Sequence, residues 1–417
     1  MRALVLAAGA GTRMKSALPK ALHEVNGRTM LEHALRAVRA AGVREIYVVV
    51  GHRRELVEER FAGEDVRWIV QREQLGTGHA VVQARRELAG YRGALLVVMG
   101  DACLLPGKLL RRLVKHQVAS NAKCTVLSAF AANPHGYGRI VRDDVGLVRR
   151  IVEERDATKA QKGIREINTG NYVFACPDVF AALEALRRDN QQGEYLLTDV
   201  VDYFARRGDG VECLVAPSFE DVMAANTREE LATLARVMNA RTLSRLMAEG
   251  VTIVSPETTF IHDTVRVGRD TIVQPFTVIT GRVEIGKNCR IGPFAHIRDG
   301  SHLSDETAVG NFVEVKRSRM GPGTASRHIA YLGDARIGAK VNIGAGTITA
   351  NFDGERKQVT RIGDNARIGA GTILIAPVRV GAGGRTGAGA VVPKKHHVGS
   401  GETVVGIPAR RLTSKRG

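Results

Sequence analysis

The sequence predicts an α/β chain in two parts: a layered sheet domain over residues 1–225 and a solenoid of short parallel strands over residues 251–417, joined by a linker helix over residues 226–250. Three observations carry this. Short aliphatic runs alternate with amphipathic stretches through the first half. A single helical pattern follows. Aliphatic residues then recur on a period of six through most of the second half.

In the first half, Ala3–Leu6, Ile46–Val50, Val66–Val70 and Leu95–Met99 read as strands, separated by helical patterns such as Met30–Ala41. Strands alternating with helices form a largely parallel sheet with helices on both faces, a Rossmann-like layering. Ligands of such sheets sit at the carboxyl ends of the strands. Beyond residue 225, Thr227-Arg-Glu-Glu230 has capping-box form, and Leu231, Leu234, Met238, Leu243, Leu246 and Met247 recur near helical spacing. One long helix is the simplest reading.

Ile261, Val267, Val273, Ile279, Ile285, Ile291, Ile297, Leu303, Val309 and Val315 fall on one six-residue frame. The frame slips, resumes at Tyr331, Ile337 and Ile343, slips again, and returns at Ile362, Ile368, Leu374, Val380, Thr386 and Val392. A small residue often follows the aliphatic one, as in Ile285-Gly and Ile368-Gly. One inward aliphatic per six residues suits a triangular coil of three short strands, with the small residue at the corner. The slips read as excursions over Arg319–Ala330 and Thr349–Arg361, where function is grafted onto a regular scaffold.

Composition narrows the function. With 417 residues, 44% of them hydrophobic and only 12 prolines, the chain is globular and exceeds one ordinary core. Ala3–Ala8 is too short for a signal segment, and no run approaches the length of a membrane helix. The five cysteines are widely spaced and form no C-x-x-C pair, which argues against zinc and disulfides and for a cytoplasmic protein with reduced thiols. The formal charge of +18 is scattered, with no nucleic-acid-binding signature, and suits phosphorylated small-molecule ligands. Neither nucleic acid nor membrane is expected as a partner.

Strand Ala3–Leu6 runs into Ala7-Ala8-Gly9-Ala10-Gly11-Thr12-Arg13-Met14-Lys15, then Leu18-Pro19-Lys20. A glycine-rich turn after a first strand lets backbone N–H groups approach phosphates. It is neither a Walker loop nor a complete dinucleotide fingerprint. Further strings follow in order: Gln71-Arg-Glu-Gln74-Leu-Gly76-Thr77-Gly-His-Ala, Gly100-Asp101, Gly136-Tyr-Gly138-Arg-Ile, Ile151-Val-Glu153, Glu166-Ile-Asn168-Thr-Gly170 and Gly193-Glu-Tyr-Leu-Leu-Thr-Asp199. Together they resemble the sugar-phosphate nucleotidyltransferases and, more closely, the uridyltransferase half of the bacterial bifunctional GlmU family.

That resemblance implies that Leu6, Ala7, Ala8, Gly9, Gln71, Gly76, Thr77, Met99 and Gly100 bind the uridine nucleotide, and that Gly138, Glu153 and Asn168 hold the amino sugar. Arg13 and Lys20 would face the triphosphate, and Asp101 and Asn226 would hold Mg²⁺, an ion that takes oxygen ligands. Two departures stand out. Asp101-Ala-Cys103-Leu replaces the common Asp-x-Pro-Leu, and Met99 stands where tyrosine is frequent.

A second constellation lies in the solenoid: Arg298, Glu314-Val-Lys316, His328-Ile-Ala-Tyr331-Leu-Gly-Asp334, Asn342-Ile-Gly-Ala345, Asn351-Phe352-Asp-Gly and Lys357. It resembles the acetyltransferase half of the same family, a left-handed parallel β-helix of hexapeptide repeats that forms a homotrimer with acetyl sites between subunits. The resemblance makes His328 the general base that takes a proton from the amine of glucosamine-1-phosphate as it attacks the acetyl-CoA thioester, work that suits a neutral imidazole. Arg298, Lys316 and Lys357 would bind the sugar phosphate. Tyr331, Asn342 and Asn351 would position the sugar, and Glu314 would orient the amine or His328. Ala345, Asn351, Phe352, Ala370 and Ala388 would line the CoA channel.

Ala370, Phe352 and Gly406 stand where the family often has Ser, Tyr and Arg, and the stretch before Arg298 is short by about two 18-residue coils. The implied activity is acetylation of glucosamine-1-phosphate followed by Mg²⁺-dependent uridylyl transfer from UTP. The competing reading is a nucleotidyltransferase whose β-helix only trimerises or regulates. A merely structural solenoid has no use for His328, Lys316, Arg298 and Asn351.

Overall fold

A computed structural model describes residues 1–411 of the chain; positions 412–417, the end of the expected solenoid domain, lie outside the described residues. Two compact units emerge, residues 1–237 and 238–417.

In the first unit, β1 (Arg2–Ala7), β2 (Glu45–Val50), β3 (Arg67–Val70), β4 (Ala94–Met99), β5 (Cys124–Phe130), β6 (Arg139–Arg142), β7 (Val148–Val152), β8 (Glu166–Ala175) and β9 (Val211–Val215) share one sheet. Its order is β9-β5-β8-β4-β1-β2-β3, with β6 hydrogen-bonded to β8 and β7. Successive residues of β1 enter different cores because side chains alternate across a strand. Ala3 and Val5 pack with helices Met30–Ala40 and Gly107–Ser120. Leu4 and Leu6 pack with helices Thr77–Val82, Asp178–Glu184 and Asp199–Arg206 on the other face. Burial on both faces is why the strands read as unbroken apolar runs.

The largely parallel sheet carries antiparallel pairs at β6, β7 and β8. The neighbours from β4 through β1 and β2 to β3 are parallel, as are β5 and β9, but β8 runs antiparallel to both β4 and β5. The chain reaches β8 through the β6–β7 hairpin instead of a crossover helix, and without a crossover it returns antiparallel.

The capping box at Thr227 forms. Its hydroxyl accepts the Glu230 N–H at 3.2 Å, the Glu230 carboxylate accepts the Thr227 N–H at 3.3 Å, and helix Arg228–Ala248 follows for 21 residues.

The second unit is a parallel β-helix with three faces. Val273 pairs with Ile291, Ile279 with Ile297 and Ile285 with Leu303, each 18 positions on. All ten residues of the first six-residue frame, Ile261 to Val315, are buried in one continuous core.

The first frame slip is not an excursion. Leu303 pairs with Met320, Val309 with Ser326, Val315 with Leu332 and Met320 with Ile337, each 17 positions on. One five-residue step in each of two successive coils absorbs the slip, and Arg319–Met320 and Ala325–Gly333 remain regular strands. Leu332 is therefore the buried residue, and Tyr331, which the frame assigned inward, is half-exposed on the outer surface. At the second slip the chain does leave the coil, between strands Thr347–Ala350 and Thr360–Ile362, so that Ile343 pairs with Ile368, 25 positions on.

Strands Ala308–Lys316 and Ala325–Gly333 run unbroken around one corner, from the face of Asn342–Ile343 to that of Thr347–Ala350. On this corner Phe276, Phe294 and Phe312 are exposed, adopt left-handed φ of 57°, 54° and 56°, and stack with ring centroids 4.9 and 5.0 Å apart.

Replacing Ile291, fully buried in this column, with alanine should cost about 2–5 kcal/mol in denaturant unfolding of the full chain. Arg290→Ala, one position away and facing out, should stay within about 0.5 kcal/mol. Equal effects would contradict the inward assignment.

Candidate active sites

The carboxyl ends of β1 and β4 lie side by side, with Gly100 donating its N–H to the Leu6 carbonyl at 2.9 Å. Leu6, Ala7, Ala8 and Gly9 therefore adjoin Gly100 and Asp101, as the strand-end argument requires. Here Lys20 Nζ donates to Asn226 Oδ1 at 2.7 Å and also to Asp101 Oδ2, while Asp101 Oδ1 is buried with no hydrogen-bond partner. The glycine-rich turn seats this lysine. Gly11 has φ 61°, and a Cβ there would lie 2.7 Å from Lys20 Cβ. Cys103 donates to the Asp101 carbonyl at 3.3 Å, taking up the turn where the family favours proline, and burial pushes its thiol far up. Arg13 is the middle residue of the turn Thr12–Met14, exposed and bonded to none of these groups among the described residues.

Gln71 is buried and donates to the Gly76 carbonyl at 3.2 Å. Gly76 has φ 107°, and a Cβ there would meet the Tyr195 carbonyl at 2.5 Å, so only glycine fits. Tyr195 N–H donates to the Leu75 carbonyl at 2.8 Å and Leu197 N–H to Thr77 Oγ1 at 3.0 Å, packing the 193–199 string onto Gly76 and Thr77. Met99 lies against Gly170, and its N–H donates to Asn171 Oδ1 at 3.1 Å.

The three amino-sugar candidates converge. Asn168 N–H donates to the Gly138 carbonyl at 2.8 Å, and a Cβ on Gly138 would stand 3.4 Å from both Glu153 carboxylate oxygens. Thr198 donates to Glu153 Oε1 at 3.3 Å. Burial raises the Glu153 carboxyl above its usual range, and burial together with Asp202 and Asp156 pushes Asp199 up to about 6. Glu153 and Asp199 border a cavity of about 720 Å³. Sequence reasoning gave no role to Thr198, Tyr195 or Asn171. The first two sit inside a quoted string, and Asn171 directly follows one.

On the solenoid, a cationic cluster closes one end of a face. Arg298 Nη1 donates to Glu314 Oε1 at 2.7 Å. Arg317 forks onto Asp334 with two bonds of 2.7 Å, and Asp334 also accepts from Asn351 Nδ2. Arg317 first, then Asn351 and Lys357 among others, hold the Asp334 carboxyl below its usual range. Desolvation and then Arg298, Arg317 and Lys357 hold Lys316 below the usual lysine range, the mark of cations crowded together. Lys357 is carried by the loop after Ala350, where Phe352 and Lys357 pair. Lys316 pairs with Gly333, where a Cβ would meet the Tyr331 hydroxyl at 2.5 Å, so the tyrosine ring lies over that position. Arg317 escaped sequence reasoning, since it lies beside the motif lysine without belonging to the motif.

His328 stands at the other end of this face, exposed on the corner and paired with Asn311. Lys316 lies five positions further along that strand, past the left-handed corner residue Phe312. Tyr331 lies between them, paired with Glu314. Along the corner, the Ile329 carbonyl accepts from Gly346 N–H at 2.6 Å, the Ala345 carbonyl from Gly371 N–H at 2.6 Å and the Ala370 carbonyl from Gly389 N–H at 2.7 Å. His328, Ala345, Ala370 and Ala388 therefore follow one another in a column of small residues. The single chain does not gather every candidate. Asn342 pairs with Ala325 and Arg367 on the neighbouring face, and Asn351 and Phe352 lie beyond the opposite end of the face from the alanine column.

Residues 3–204 match the MobA-like NTP transferase domain, and residues 264–299 match the bacterial transferase hexapeptide (six repeats). The chain is 42% identical over 409 residues to the bifunctional protein GlmU of Geobacillus sp. (strain WCH70), covering 90% of this chain and 89% of that one. It is 43% identical over 411 residues to the bifunctional protein GlmU of Pelotomaculum thermopropionicum, covering 91% and 90%. The bifunctional protein GlmU of Listeria monocytogenes serotype 4a is 40% identical over 410 residues, covering 90% of each. With two separate constellations on two separate architectures, the chain belongs to the GlmU family of bifunctional enzymes, a nucleotidyltransferase followed by a hexapeptide-repeat acetyltransferase.

Proposed function

We propose that this chain makes UDP-N-acetylglucosamine in two steps. The solenoid moves an acetyl group from acetyl-CoA to the amine of glucosamine-1-phosphate. The sheet domain then joins the resulting N-acetylglucosamine-1-phosphate to UTP and releases pyrophosphate. The observation that carries this reading is the pair of charge clusters in one chain: Lys20, Asp101 and Asn226 at the sheet edge, and Arg298, Lys316 and Arg317, with Lys357 from the adjoining loop, at the far end of the face from His328.

In the uridylyl step the sugar phosphate oxygen attacks the α-phosphorus of UTP in line, and no protein nucleophile is needed. The residues position and neutralise. Asp101 offers a buried oxygen with no partner and Asn226 a second oxygen beside it, which fits Mg²⁺. The ion, when bound, supplies Lewis-acid charge for the phosphates. Arg13 and Lys20 bring positive charge to the triphosphate. Gly138, Glu153 and Asn168 hold the amino sugar, with Thr198 fixing the Glu153 carboxylate.

In the acetyl step Arg298, Lys316 and Lys357 hold the sugar phosphate, and Tyr331 positions the ring toward His328, which accepts the amine proton. The alanine column below His328 gives a long thin co-substrate a groove to lie in. The division of candidates between faces supports a homotrimer, in which neighbouring copies complete each acetyl site. The exposed column of Phe276, Phe294, Phe312 and Ile329 is apolar surface that association would cover. Among the described residues no helix is long and apolar enough to cross a membrane. With five free cysteines and phosphorylated co-substrates, the cytoplasm is the proposed site of action.

Asp101→Ala is expected to abolish UDP-sugar formation while acetyl transfer continues at the wild-type rate, each followed by product chromatography. Loss of both activities in a folded variant would refute separate sites.

His328→Ala is expected to slow acetyl transfer roughly 10²–10⁴-fold, the usual weight of a positioned general base. Uridylyl transfer from supplied N-acetylglucosamine-1-phosphate should be unchanged. A folded variant with full acetyl turnover would remove His328 from the chemistry.

A further inference from the structure

Lys20, seated against the glycine-rich turn, stands where the proposed metal ligands converge. Its ammonium lies between Asn226 Oδ1, at 2.7 Å, and Asp101 Oδ2. The Lys20 and Asp101 side chains are only 17% and 11% exposed, so this is not a loose surface pair. The lysine stem is fixed as well, since Lys20 opens the turn Lys20–Leu22 behind Pro19 and packs against Gly11. Two cations cannot share these oxygens, because like charges a few ångströms apart in a shielded site repel strongly. Without either cation, the Asp101 carboxylate would be shielded from water and uncompensated, which is costly.

We infer that Lys20 is an internal counter-ion that holds Asp101 and Asn226 together in the free protein, and that a divalent cation binds only by displacing it. The released ammonium then becomes available to the incoming triphosphate, so that the ion loads with the nucleotide and not ahead of it. This rests on the metal role proposed for Asp101 and Asn226, and it adds a second task to Lys20.

The test uses Mn²⁺ alone, titrated into the full-length protein without nucleotide and followed by electron paramagnetic resonance of the free ion, together with thermal unfolding in chelator. Lys20→Gln and Lys20→Met are both measured, so that misfolding of one leaves the other. Removing the competing ammonium should tighten Mn²⁺ binding about tenfold or more, the weight of one charge-assisted hydrogen bond. The same variants should melt a few degrees lower in chelator and recover when Mn²⁺ is added. Unchanged or weaker Mn²⁺ binding in both folded variants overturns the inference. Asp101→Asn separates the two levels of the claim. If it abolishes Mn²⁺ binding while the lysine variants bind no tighter, the metal site stands and the counter-ion role fails. If Asp101→Asn, added to Lys20→Met, leaves Mn²⁺ binding as tight as in Lys20→Met alone, the metal reading itself falls.

Discussion

Each coil of the solenoid gives its backbone hydrogen bonds to the coils before and after it, so each strand residue is stacked on its counterpart one coil away. That register turns a sequence period into columns. The inward column, Ile261 to Val315 and onward, is the core. The outward columns carry the proposed acetyl site, and they place Arg298 next to Lys316 and His328 above Ala345 without long-range packing. A change in coil length re-phases all columns at once. The two 17-residue coils and the 25-residue step fall around His328 and the loop of Lys357, so the scaffold departs from its own period where the chemistry is proposed.

The sheet domain solves a different problem. Its proposed metal ligands come from the end of β4 and the entrance to the long helix, and its lysine comes from the turn after β1. What joins them is charge: a shielded carboxylate requires a cation, and Lys20 provides one. The same turn that is proposed to offer backbone N–H groups to phosphate packs against the lysine stem, so the proposed phosphate binding and cation exchange meet in one loop. The positive charge of the chain is thus partly local, with cations gathered at both proposed sites.

Much of this was legible in the sequence, for identifiable reasons. A six-residue period needs only one aliphatic per unit, and ten successive hits define the core without knowledge of contacts. The period is ambiguous where a unit loses one residue: a five-residue step and a true excursion look alike in a linear frame. The linear frame therefore assigns Tyr331 inward, although its neighbour Leu332 is the buried residue. The antiparallel β8 was missed because a hairpin and a crossover both separate strands by turns and polar residues. The Lys20 contacts were invisible because they join residues 81 and 206 positions apart. The placement of Asn342 and Tyr331 on different faces likewise depends on where a corner falls, which the motif string does not record.

The central claim is that one chain performs two consecutive transfers at two independent sites. The most direct measurement is product analysis with glucosamine-1-phosphate, acetyl-CoA, UTP and Mg²⁺, omitting one component at a time. UDP-N-acetylglucosamine should form only in the complete mixture. Without UTP, N-acetylglucosamine-1-phosphate should accumulate, and without acetyl-CoA neither product should appear. UDP-sugar formation from supplied N-acetylglucosamine-1-phosphate, with no acetyl transfer under any condition, would contradict the claim and leave the solenoid a purely structural appendage.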